Sequence, residues 1–190
     1  MTRPVEYLRA DAARNVQRIV EVAAHRLGED PSVGMAEVAL AAGVSRATVY
    51  RHFPTREALV LAIHAQALEH MQRAITGSRL DEDTATEALR RLVVAVFDVA
   101  ERYAFPALVR QPELDASHTR DRKLLGEPLL ALIERGRAAG EFSTEQAPSW
   151  TAHVFGALLL AAVRAVGDGT LSREAAPDAV CETLLGGARA

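Results

Sequence analysis

Apolar residues recur at spacings of three and four along most of this chain, and Gly or Pro interrupts each such stretch before the next begins. That period builds helices with one buried face, whereas strands would need alternation. Val16, Ile19, Val20, Ala23 and Leu27 form one face of a first helix over about 10–27, which Gly28 and Pro31 close. A second helix is expected over about 35–42, a third over 46–53 and a long fourth over about 55–75. Further helices are read at 85–103, 119–138, 147–166 and 177–185, with a short irregular or helical piece between Pro106 and Pro112 and a bend or break at Pro128. The expectation is an all-α chain of about nine helices.

Composition narrows the function classes. Hydrophobic residues make up 49% of 190, ample for a packed core, and only 5% are aromatic. A single cysteine, Cys181, excludes an internal disulfide framework and multi-cysteine metal centres; a packing role is expected for it. Residues 1–10 hold Arg3, Glu6 and Arg9 with no apolar stretch of the secretory type. The longest run free of charge and histidine after that, Val154–Val163, is ten residues, where a spanning helix needs roughly 20. A cytoplasmic protein with no membrane partner is therefore expected.

Net charge is −3, but its distribution is uneven. Residues 1–60 sum to +1 and residues 61–190 to −4, and the stretch Val38–Arg56 carries Arg46, Arg51, His52 and Arg56 with no acid. A local basic patch on an acidic chain points to nucleic acid held at one place.

That patch lies in Val38-Ala39-Leu40-Ala41-Ala42-Gly43-Val44-Ser45-Arg46-Ala47-Thr48-Val49-Tyr50-Arg51-His52-Phe53, which reads as helix, glycine turn, helix. At about 100° per residue, Val49 and Phe53 share the inner side, Ala47 and Arg51 point away from it, and Thr48 and Tyr50 flank. In a major groove the outermost side chains meet base edges and flanking hydroxyls meet phosphates. Arg46 suits guanine, and the Ala47 methyl suits a thymine methyl. Arg56 stands where a guanidinium and the first amides of the fourth helix hold one phosphate together.

Here the chain resembles the TetR family of transcriptional regulators. The resemblance rests on Gly43-Val44-Ser45, Thr48-Val49-Tyr50, His52-Phe53-Pro54 and Arg56-Glu57-Ala58-Leu59, and it extends over about 45 residues from the first helix to the start of the fourth. Carried over by position, it implies DNA contacts from Arg46, Ala47, Thr48, Tyr50, His52 and Arg56. Gly34-Met35 departs from the family pattern, which has a capping Ser or Thr there. It implies a helix-turn-helix domain over 1–54 and an effector-binding and dimerisation domain over 55–190, with 55–76 as connecting helix.

The same resemblance implies a homodimer that binds double-stranded DNA, most often as a repressor, and releases it when a small molecule binds. Val154, Phe155, Leu158, Leu159 and Ala162 on the 147–166 helix are read as dimer interface. Phe97, Tyr103, Phe105, Trp150 and His153 are read as lining a pocket for a largely apolar or aromatic effector. No cofactor or metal is expected: Glu21 and His25 stand four apart, but an exposed helix pair is the simpler reading. No Gly-x-Ser-x-Gly, His-Glu-x-x-His or phosphate-binding glycine loop supports an enzyme. The remaining alternatives are a helical protein-binding adaptor and a ligand-binding protein without DNA binding, and salt dependence separates DNA binding from an apolar docking groove.

Overall fold

A computed structural model describes residues 5–104, 108 and 118–188, and all the regular structure among them is helical. Eight helices are present there: α1 (Val5–Glu29), α2 (Met35–Ala41), α3 (Arg46–His52), α4 (Arg56–Gly77), α5 (Ala85–Arg102), α6 (His118–Ala138), α7 (Pro148–Gly167) and α8 (Ala176–Ala188). The ninth expected piece, between Pro106 and Pro112, lies outside the described residues apart from Leu108. Two expectations change. Helix α1 begins five residues before the expected start, and α6 runs through Pro128 undivided, where the proline has no amide to donate.

The chain divides into two compact units, one of Met1–Gln66 with Arg102–Asp115 and one of Ala67–Glu101 with Ala116–Ala190. In the first, the face of α1 read from periodicity is buried at Ile19, Val20, Ala23 and Leu27. It shares that core with Val38 and Ala39 of α2, Val49 of α3 and Leu59, Val60 and Ile63 of α4. In the second, α5 buries Leu89, Leu92, Val93, Val96, Phe97 and Ala100, and α6 buries Leu129, Leu132 and Ile133. Gly136 is needed because any Cβ there would overlap the Phe142 ring and Ala85. Cys181 of α8 is 1% exposed, and desolvation pushes its thiol above the ordinary value, so the reactive thiolate is suppressed.

Helix α7 is 20 residues long and, by length and composition alone, apolar enough to cross a membrane, although His153 and Arg164 bound its charge-free stretch. Phe155, Leu159, Ala162 and Val163 explain part of that apolarity, because they are buried where α7 packs with α6 and α8. The rest lies on the exposed side.

The start of α5 is secured from two directions. Thr84 and Glu87 form a capping box: the Thr84 amide and hydroxyl donate to Glu87 Oε2, and the Glu87 amide donates to Thr84 Oγ1. The next two amides, of Ala85 and Thr86, donate to the Glu141 carboxylate at 3.0 and 2.8 Å. These bonds hold the Glu141 carboxyl below its ordinary value. A carboxylate with a depressed folded value adds stability that is complete above the unfolded value and is lost as pH falls through the folded one. Glu141→Ala is therefore expected to cost about 1 kcal/mol near neutrality, the size of a lost cap. In denaturant midpoints measured against pH, that cost should shrink below about pH 4.5; a constant cost down to pH 2 would contradict the assignment.

Candidate nucleic-acid interface

Gly43 makes the turn that aims α3. Helix α2 ends at Ala41 with Ala42 as its C-cap, and Gly43 then takes φ +65°, a left-handed conformation that favours glycine. The Gly43 amide donates to the Leu40 carbonyl at 3.1 Å and the Val44 amide to Ala39 at 3.0 Å, the paired bonds of a Schellman stop. Ser45 caps α3 at once: its hydroxyl oxygen accepts from the Thr48 amide at 3.0 Å and lies 2.8 Å from the Thr48 hydroxyl. Only two residues, Val44 and Ser45, therefore separate Gly43 from α3, and the turn is closed by hydrogen bonds on both sides.

The rotation of α3 follows from what it buries. Val49 is fully buried and Phe53, just past the end of α3, nearly so, which leaves Arg46, Ala47 and Arg51 exposed. Tyr50 is 49% exposed and Thr48 half-buried, so these two flank the outer face. His52 is half-buried, with its ring tilted against Phe53. Neither Arg46 nor Arg51 has an ion pair or hydrogen bond among the described residues. Both guanidiniums are thus available to a partner in solution.

Helix α2 starts without a side-chain cap. Gly34 sits at the capping position, and its amide donates to Glu37 Oε2 at 3.0 Å, so the glutamate supplies half of a capping box without a capping hydroxyl. Arg56 takes on a duty that the sequence did not reveal: its Nη2 donates to the Pro31 carbonyl at 2.8 Å, joining the start of α4 to the loop before α2. Thr55 caps α4 through the Ala58 amide.

The family described as "Bacterial regulatory proteins, tetR family" matches residues 31–63, which run from the loop before α2 into α4. The HTH-type transcriptional repressor LfrR of Mycolicibacterium smegmatis is 29% identical over 178 residues, covering 92% of this chain and 90% of its own. The structure of LfrR in complex with proflavine superposes with a TM-score of 0.69 at 27% identity, covering 93% of this chain and 98% of that one. Residues 31–63 thus match the DNA-binding domain of the TetR family, and nearly the whole chain is similar to regulators of that family. A second regulator of that family, PfmR from Thermus thermophilus, superposes with a TM-score of 0.73 at 26% identity over 89% of this chain and 97% of its own. The chain accordingly has the fold of a helix-turn-helix transcriptional regulator.

The residues read as an effector pocket fall in both units. Phe97 is buried in the second unit, and Tyr103 is fully buried in the first, beneath the Arg102 guanidinium. Trp150, 58% exposed, and His153 stand on the open side of α7, and Phe105 lies outside the described residues. The five residues read as dimer interface divide in a similar way. Phe155, Leu159 and Ala162 point into their own chain's core, whereas Val154 and Leu158 are half-buried. Periodicity located the apolar helix but gave no means of telling its two apolar sides apart. The pair considered for metal, Glu21 and His25, is engaged elsewhere, Glu21 with Arg102 and His25 with Glu29.

Proposed function

We propose that two copies of this chain hold a palindromic operator through paired α3 helices, repress transcription there, and leave the DNA when a small apolar or aromatic molecule binds. The carrying observation is the outer face of α3, where Arg46 and Arg51 stand unengaged beside Tyr50 behind the Gly43 turn and the Ser45 cap. Base contacts come from Arg46, Ala47 and Arg51, and phosphate contacts from Thr48, Tyr50, His52 and Arg56. Residues 1–54 are the reading domain, and 55–190 the effector-binding and dimerisation domain.

One short helix reads too few bases for useful specificity, so a second copy is required, and twofold symmetry then imposes an inverted repeat with half-sites about 34–36 Å apart or a multiple of that. The outer side of α7 serves as the interface: Trp150, Ala157 and Ala161 are exposed there, with Val154 and Leu158 at its edge. Small residues let helices approach closely. Release by effector follows from linkage, because a ligand preferring a conformer with misplaced reading heads lowers DNA affinity by the factor by which DNA lowers its own. The setting for all of this is the cytoplasm, where bacterial DNA is found.

Selection from random DNA tests the reading, with an inverted repeat expected; a consensus bound by one subunit would refute it. Proflavine, the molecule bound in the LfrR structure, is the first ligand probe. Its affinity should fall when the selected duplex is present, and an unchanged affinity for a ligand that does bind would refute the coupling.

A further inference from the structure

The first unit distributes its charges so as to leave one arginine of α1 unused. Between residues 14 and 56 there are four acids, and each is engaged. Glu21 pairs with Arg102, Glu29 with Arg26 and His25, Asp30 accepts from the Ser32 amide and hydroxyl, and Glu37 accepts from the Gly34 amide. Arg18 is exposed and, like Arg46 and Arg51, has no ion pair or hydrogen bond among the described residues.

Its position is specific. Arg18 Nη2 lies 4.0 Å from where a Cβ on Gly43 would stand, so the guanidinium sits against the bare side of the turn, two residues before the cap of α3. A Cβ at position 43 would meet that nitrogen at ordinary contact distance, so it is the left-handed φ of +65° that favours glycine there, and the arginine lies directly against the turn. Three unengaged guanidiniums therefore belong to one compact unit, two on α3 and one against the turn that introduces α3.

We propose that Arg18 is a further phosphate-contacting residue, which grips the DNA backbone beside the turn while α3 occupies the groove. The proposal rests on the DNA-binding reading above and adds a residue outside the helix-turn-helix. Such a contact adds affinity without sequence information, because phosphates are alike at every base pair.

The test compares Arg18→Gln, Arg18→Lys, Arg46→Ala and Arg51→Ala with the wild-type chain. Each is titrated on a duplex recovered by selection from random DNA and on sheared duplex of mixed sequence, over a series of salt concentrations. Arg18→Gln should weaken both duplexes by the same factor, about tenfold at low salt, and reduce the log–log salt slope by about one per subunit. Arg18→Lys should restore most of that slope, and the thermal midpoint of every Arg18 variant should match wild type. An unchanged slope in Arg18→Gln while Arg46→Ala and Arg51→Ala lose affinity would overturn the phosphate role and leave the operator reading standing. So would a lowered thermal midpoint at an unchanged slope, since the arginine would then serve only the fold. Wild-type protein that binds neither duplex at low salt would overturn both readings together.

Discussion

Arg46→Ala is expected to reduce affinity for the selected operator by roughly 30-fold to 10⁴-fold, because a bidentate arginine–guanine contact is worth about 1–3 kcal/mol and the proposed dimer would make it twice. The structure isolates this effect from folding. Arg46 is exposed at the first position of α3, while the turn and cap are completed by Ser45, Thr48 and backbone groups that the substitution leaves in place. Circular dichroism and the thermal midpoint should therefore be unaltered. Binding to mixed-sequence duplex should fall much less than binding to the operator, since the lost contact carries sequence information. An equal loss on both duplexes would assign Arg46 to the phosphates and move base reading to Ala47 and Arg51. Full operator affinity in the variant would refute the orientation of α3 altogether.

Much of this was legible in the sequence because it depends on neighbours in the chain. The buried faces of α1, α2 and α5 follow from three-and-four spacing, and the turn at Gly43 follows from residues that meet within six positions of one another. What escaped notice joins distant segments. Arg56 donates to Pro31 across 25 residues, and Glu141 accepts from α5 amides across 55 and 56. Arg18 has the same 25-residue separation from Gly43, and nothing in its own neighbourhood distinguishes it from any solvated arginine. Periodicity shows which face a helix buries, but it does not say which segment covers that face. Helix α7 marks the limit most clearly, because it is apolar on both sides and a period-3.6 pattern loses its contrast there. A signal for α5 was present, however, in Thr84-x-x-Glu87, a sequence-level helix start.

Those two sides of α7 lead to the other large effect. Ala157 is exposed near the middle of the helix, between His153 one turn before it and Ala161 one turn after. In a twofold interface, residues close to the axis face their own copies. Ala157→Arg would thus set two like charges against each other inside an apolar contact, where neither has water or a counter-ion. The variant should sediment as a monomer with unchanged helix content, because Ala157 contributes nothing to the core formed by Phe155, Leu159 and Ala162. Operator affinity should fall with it by about 10²–10⁴-fold, since each half-site then binds without the effective concentration that the tethered partner provides. Half-site duplex should bind wild type and variant alike, which separates loss of pairing from damage to α3. A variant that remains dimeric and binds the operator normally would move the interface away from this side of α7.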